Sequence, residues 1–164
     1  MDSMPGKRCM GFSPTLRGCV APNAQMARAM GEVARLALSG VIANTYRSLI
    51  FEEEKALSEH FDALAIEWLS YFRLVGRLMI ALGGDPVRCG VLRANGRRGV
   101  RERERNALEL RCGEVAEAVR ELHLWRDRLQ ALIARNGDRV VCAVLETLAD
   151  DAERLATETE RLLR

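Results

Sequence analysis

Apolar residues recur every three or four positions through four long segments of the chain, a spacing that is typical of helices burying one face. The first segment follows Asn23, a residue that can cap a helix, and extends to Phe51; its apolar positions are Met26, Met30, Val33, Ala37, Val41, Tyr46 and Leu49. The second begins after Lys55, and its stripe contains Leu57, Phe61, Leu64, Trp68, Phe72, Val75, Met79 and Leu82. Gly83 and Gly84 supply a left-handed stop, and Pro86 prevents continuation. The pattern therefore predicts two successive helices.

The second half of the chain repeats this organisation. A third helix is predicted to end at Asn136 and Gly137, with a stripe of Leu108, Cys112, Val115, Val119, Leu122, Trp125, Leu129 and Leu132. Asp138 can cap a fourth helix, whose stripe is Val141, Leu145, Leu148, Ala152, Leu155, Thr159 and Leu162. Residues 1–22 are rich in Gly and Pro and are predicted to be an irregular leader, which leaves 23–164 as the helical domain.

The lengths of the connections distinguish between bundle topologies. The first and third links are short, so each joins an antiparallel hairpin of helices. The middle link, residues 85–101, has 17 residues. Extended, it reaches about 55 Å, whereas a helix of this length measures about 42 Å. The link can therefore run along the whole bundle and leave helices two and three parallel. Short, long, short connections are typical of ferritin-like four-helix bundles.

Composition and charge narrow the functional classes. The 164 residues are 48% apolar and only 5% aromatic, which favours an all-α protein, and the net charge of +2 gives no support for nucleic-acid binding. Seven arginines between Arg88 and Arg105 lack interleaved aromatic residues, so a solvated crossover is favoured over a nucleic-acid site. Neither a membrane span nor a signal peptide is indicated, and a cytoplasmic protein is expected. The five cysteines are expected to be reduced thiols without a zinc site.

Three local sequences carry a resemblance to a known family: YRSLIFEEE at 46–54, LMIALGGDP at 78–86 and EAVRELHLWRDRL at 117–129. Together they resemble the small ferritin-like proteins of bacteria that are related to rubrerythrins and bacterioferritins. The resemblance implies a ferritin-like four-helix bundle over residues 30–160. In that family a glutamate on each of helices one and three and a Glu-x-x-His pair on each of helices two and four hold two metal ions inside the bundle.

Most of these ligand positions carry other residues in this chain. The resemblance places the helix-two glutamate and histidine at Trp68 and Tyr71. It places the glutamates of helices one and three at Ala37 and Val115, and the helix-four motif at Asp150, Asp151 and Arg154. Trp68 and Val115 lie on the apolar stripes, so both are expected to point into the core. The resemblance thus implies the fold but not its usual metal chemistry, and we expect no catalytic residue, metal ligand or cofactor.

Shifted ligands remain an alternative. Glu67 precedes Trp68 by one residue, and Asp151 lies at the edge of the fourth stripe. We expect Glu67 to be exposed and Asp151 to pair with Arg154. A surface position is expected for His60, and His123 is expected in solvent or at a helix interface.

The favoured function is a structural or protein-interaction module that forms a dimer through an exposed apolar helix face. The alternative is a divergent di-iron or di-manganese oxidoreductase of the rubrerythrin type that uses residues such as Glu67 and Asp151. A third hypothesis, a nucleic-acid-associated protein that uses the arginine-rich crossover, is the least favoured.

Overall fold

The structure is a computed structural model that describes residues 19–85 and 106–164. The described residues form four long α-helices: α1 (Ala24–Ile50), α2 (Lys55–Ala81), α3 (Ala107–Ile133) and α4 (Arg139–Glu160). A short 3-10 helix, Arg161–Leu163, follows α4. The predicted all-α class is confirmed, and each helix boundary lies close to the predicted one. Residues 1–18 of the predicted leader, and nearly all of the predicted crossover, lie outside the described residues.

The helix ends follow the predicted chemistry. The Asn23 side chain accepts a hydrogen bond from the Met26 backbone N–H at 3.0 Å, and Asp138 Oδ1 accepts one from Val140 N–H at 2.9 Å. Asn106 caps α3 in the same way, accepting from Glu109 N–H at 2.9 Å. At the end of α2, Gly83 adopts a φ of +83°, a conformation that residues with a Cβ rarely adopt. Local capping chemistry therefore defines the starts of α1, α3 and α4 and the end of α2.

Contacts between helices define their relative directions. Ser58, at the start of α2, donates to the carbonyl of Ser48 near the end of α1, so these two helices are antiparallel. Between α1 and α3, Trp125 contacts Val33 and Glu114 contacts Arg47, so later residues of one helix meet earlier residues of the other.

Helix α4 runs antiparallel to both α2 and α3. His60 of α2 contacts Thr159 of α4, and Tyr71 contacts Asp151, so α2 and α4 are antiparallel. Cys142, near the start of α4, lies beside the end of α3, so α3 and α4 are also antiparallel. Because α2 and α3 both run opposite to α1, they run parallel to each other.

The core is formed by the apolar stripes of the four helices, with exceptions near the junction of α1 and α3. The α2 stripe is buried as predicted, apart from a half-buried Phe72. The predictions for Tyr46, Leu49 and Leu108 are wrong: these side chains are 64%, 60% and 69% exposed. Cys112 is exposed as well. Near the end of α1 and the start of α3, the face that packs on the core is therefore not the apolar stripe that the sequence predicts.

Two further sequence predictions concern membranes and cysteines. Among the described residues, no helix combines the length and apolar character that a membrane span requires. Cys112 and Cys142 are free thiols, as predicted. Cys19 is disulfide-bonded, so the prediction of a reduced thiol is wrong at that position.

Candidate functional site

Three large aromatic side chains, two from α2 and one from α3, meet inside the bundle. Trp68 and Tyr71 of α2 are 1% and 3% exposed, and Trp125 of α3 is fully buried. Tyr71 stacks on Trp125 with ring centroids 4.6 Å apart, while Trp68 contacts both rings edge to face at 5.7 and 5.3 Å. These separations lie in the favourable range for aromatic pairs. We call Trp68, Tyr71 and Trp125 the aromatic cluster.

Small residues on α1 make room for this cluster. A Cβ at Gly40 would lie 2.3 Å from Trp68 Cδ2, so the α1 backbone approaches the face of the indole directly. Ala37, one turn earlier on α1, is also fully buried. The two large indoles of the cluster therefore depend on small side chains opposite them, as close packing of an interior requires.

The two indole nitrogens differ in their hydrogen bonding. Trp125 Nε1 donates to the Val33 carbonyl of α1 at 2.9 Å, and this bond ties α3 to α1. Trp68 Nε1 is buried and has no acceptor among the described residues. A buried donor without a partner costs about 1–3 kcal/mol. Packing of the indole ring, rather than hydrogen bonding, therefore accounts for Trp68 at this position.

A chain of polar contacts extends from the aromatic cluster to the surface. Tyr71 Oη donates to Asp151 Oδ2 at 2.5 Å, and Arg154 Nε donates to Asp151 Oδ1 at 2.9 Å. Arg154 also donates to Glu158 at 2.8 Å. Burial, followed by the bond to Asp151, raises the pKa of Tyr71 above its ordinary value, so the phenol stays protonated. The expected pairing of Asp151 with Arg154 is confirmed.

These residues do not fit a di-metal centre. At the positions that the resemblance assigns to ligands, Ala37 and Val115 are fully buried and offer no donor atom, and the Trp68 indole offers only an N–H. Both carboxylate oxygens of Asp151 already accept hydrogen bonds from Tyr71 and Arg154. Within residues 19–85 and 106–164, no group of three or more His, Cys, Asp or Glu side chains is arranged to hold a metal ion.

The remaining candidate residues are dispersed. Glu67 is half-buried rather than exposed, and its charge contributes to the raised pKa of Tyr71. His123 lies at the interface of α3 and α4, with Nδ1 3.4 Å from Glu153 Oε2. A helix interface is one of the two positions that the sequence predicted for this residue. The seven arginines from Arg88 to Arg105, for which the sequence predicts a solvated crossover, lie outside the described residues.

His60 is half-buried between α2 and α4, so the prediction of a surface histidine is wrong. Its Nε2 lies 3.0 Å from Thr159 Oγ1. Because that hydroxyl donates to the Leu155 carbonyl, His60 Nε2 is the donor in the contact. Burial lowers the pKa of His60, although the charge of Glu158 opposes the shift. The neutral imidazole is therefore the form that the fold accommodates.

Sequence reasoning missed a buried ionic cluster at the other end of the α1–α3 interface. Arg47 is 1% exposed, and its Nε donates to Glu114 at 2.9 Å. Two further donations, at 2.7 and 3.1 Å, form a two-pronged contact with Glu121. Asn44 accepts a fourth bond at 3.1 Å, and the guanidinium carbon lies 6.0 Å from the Phe61 ring centroid. We call Asn44, Arg47, Glu114 and Glu121 the Arg47 cluster.

The Arg47 cluster stabilises the charged form of the Arg47 guanidinium. Burial lowers the pKa of Arg47, but hydrogen bonds and charges from Glu121 and Glu114 outweigh burial and raise it overall.

The periodicity of α1 indicates that Arg47 lies on the buried face. The alternating steps of four and three from Met26 through Ala37 continue to Gly40, Asn44, Arg47 and Phe51, all of which are buried.

Comparisons with known proteins give no match: no family model matches the chain, and no match was found among the curated proteins or the solved structures.

Proposed function

We propose that this chain is a ferritin-like four-helix bundle whose di-metal positions are taken by aromatic and apolar side chains, and that it serves as a non-catalytic structural or protein-interaction module in the cytoplasm. The observation that carries the proposal is the aromatic cluster together with the Tyr71–Asp151–Arg154 contacts. Trp68 and Tyr71 of the cluster occupy the helix-two positions to which the family resemblance assigns metal ligands, and Trp125 packs against both.

The directions of the helices support the ferritin-like part of the proposal. Antiparallel pairs α1–α2 and α3–α4, with α2 parallel to α3, are the arrangement that a long crossover connection produces. An up-down-up-down bundle would instead make α2 and α3 antiparallel. The sequences YRSLIFEEE and LMIALGGDP support the same assignment.

Physical chemistry supports the loss of a metal centre. Carboxylates buried without a cation would destabilise the fold by several kcal/mol each. Replacement by Trp68 and Val115 removes that penalty and adds apolar contacts, and Arg154 neutralises Asp151, the carboxylate that remains. The residues that fill the bundle are therefore those expected of a fold that is stable without metal.

Metal analysis tests this proposal. The protein is purified from cells grown with added iron and manganese, and its metal content is measured by elemental mass spectrometry. Substoichiometric metal is the expected result. About two ions per chain would overturn the proposal and favour the alternative, a divergent di-iron or di-manganese oxidoreductase that uses shifted ligands such as Glu67 and Asp151.

A designed variant gives a second readout. Trp68→Glu/Tyr71→His restores the Glu-x-x-His spacing at the interior position, next to Asp151. The matched control, Ile66→Glu/Leu69→His, places the same pair on a more exposed face of α2, where Ile66 is 65% exposed. We expect manganese binding by the first variant only. Equal binding by both variants would show that position inside the bundle is irrelevant.

The interaction role is proposed to involve an exposed apolar face of α1 in a homodimer. Ile42, Tyr46 and Leu49 lie within two turns on one side of this helix and are 47%, 64% and 60% exposed. Sedimentation of Tyr46→Glu/Leu49→Glu tests the role of this face, with Ile66→Glu on α2 as the control. We expect a monomer only for the α1 variant, and a monomeric wild-type chain would contradict the proposed dimer.

A further inference from the structure

An open groove of about 680 Å³ lies between α2 and α4. Its base is apolar, because Tyr71 and Leu148 are buried beneath it and Leu74 is half-buried. Its volume falls within the range of about 300–1,000 Å³ that is common for small-molecule sites. Of the aromatic cluster, only Tyr71 lines the groove, and neither indole does.

The α2 wall of the groove carries two unpaired cations. Arg73 and Arg77 are exposed, and they lie one helical turn apart on the same side of α2. The positions three and four residues before and after each of them hold no carboxylate. Neither guanidinium has a hydrogen bond or an ion pair with any described residue. Like charges at this spacing repel each other, so an anion bound between them would be stabilised by both.

The opposite wall limits which anion can bind. Asp150 of α4 is exposed on that wall, and the Asp151 carboxylate lies deeper, where Arg154 and Tyr71 already bind it. A second negative charge on the ligand would approach Asp150 and be repelled. The groove therefore favours a single anionic group at the α2 wall, followed by an uncharged portion that covers the apolar base.

We propose that this groove binds a small amphipathic monocarboxylate of the fatty-acid type. The carboxylate contacts Arg73 and Arg77, whose planar guanidinium groups match its geometry, and the hydrocarbon chain lies on Tyr71, Leu74 and Leu148. A polyanion such as a nucleic acid does not fit the acidic wall. A protein partner would require about 800 Å² of contact, which a groove of this size does not supply by itself.

Calorimetric titration with decanoate, below its micelle concentration, tests the proposal. We expect saturable binding to the wild-type chain and weakening by at least about tenfold in Arg73→Gln/Arg77→Gln. Arg35→Gln/Arg139→Gln removes the same charge from exposed positions outside the groove and should bind as the wild type does. Decyltrimethylammonium, with the same tail and opposite charge, should not bind. Absent decanoate binding, or equal weakening in both variants, would overturn the proposal.

A second measurement needs no variant. A spin-labelled fatty acid added to the isotopically labelled wild-type chain broadens the amide signals of residues near the label. Broadening confined to α2 near Leu74 and α4 near Leu148 supports binding in the groove. Broadening centred on the apolar face of α1, or spread over all four helices, would contradict it.

Discussion

Gly40 of α1 and Trp68 of α2 are so close that a Cβ added to the glycine would lie 2.3 Å from the indole Cδ2. No Cβ tolerates such a distance, and the atoms that it would meet belong to a rigid ring held by Tyr71 and Trp125. The closeness of α1 and α2 at this level therefore depends on the absence of one methyl group. The aromatic cluster and the glycine form a single packing unit.

Gly40→Ala is expected to destabilise the protein by about 1–3 kcal/mol, because overpacking forces the backbone or the ring to move. Gly76→Ala is the matched control, since a Cβ there meets nothing within 4 Å. In that helix interior the substitution is expected to add about 0.5–1 kcal/mol of stability. Urea unfolding followed by circular dichroism measures both changes. Similar effects at the two positions would contradict the packing of Gly40 on Trp68.

The two indoles of the cluster are expected to differ when each is replaced by phenylalanine. The lost volume is the same, but Trp125→Phe removes the hydrogen bond to the Val33 carbonyl, whereas Trp68→Phe removes a buried donor that has no described partner. The loss of stability should therefore be larger for Trp125→Phe by at least about 1 kcal/mol. The comparison requires only the two denaturation midpoints and slopes. A larger loss for Trp68→Phe would show that its Nε1 makes a bond that stabilises the fold.

Periodicity predicted the stripes of α2 and α4 well, since one buried face with a constant step of three or four residues is a local property of the sequence. It failed in the last turns of α1. There the exposed Tyr46 and Leu49 are apolar, while the buried face carries Asn44 and Arg47. Following the phase of the repeat instead of the polarity of each residue would have placed Arg47 inside.

The partners of Arg47 could not be predicted in this way. Glu114 and Glu121 lie 67 and 74 residues away along the chain, on a helix whose own pattern shows them only as polar positions. The stacking of Tyr71 on Trp125 is a contact of the same kind. Burial of Trp68 followed from its stripe, but which ring faces which is decided by how the helices pair.

Stability should depend on pH through His60. Burial lowers the pKa of His60 below its ordinary value of 6.5, so the unfolded chain binds more protons than the folded chain just below that pH. The free energy of unfolding therefore decreases as the pH falls through 6.5 towards the lower pKa of the folded state. His60→Gln, whose amide can still donate to Thr159, should lose less stability than the wild type between about pH 7.5 and 5.5. Parallel pH profiles of the two proteins would contradict this assignment.

Replacement of Arg47 is expected to have the largest effect of the substitutions considered, because Arg47 donates hydrogen bonds to both Glu114 and Glu121, whose side chains are only 13% and 18% exposed. Arg47→Met should destabilise the fold by about 3–5 kcal/mol, the range for breaking a buried ion pair by removing one partner. Arg47→Lys should recover only part of this, since an ammonium group cannot form the two-pronged contact with Glu121.

Arg120 provides the matched control for Arg47. It also pairs with a glutamate, Glu117, but its side chain is 70% exposed, so Arg120→Met should change stability by less than about 1 kcal/mol. Arg47→Met/Glu114→Gln/Glu121→Gln tests the cause, because neutralising both carboxylates removes their repulsion. If repulsion between the two carboxylates is responsible, this triple variant will be more stable than Arg47→Met alone. If lost packing of the arginine is responsible, the triple variant will be no more stable than the single one.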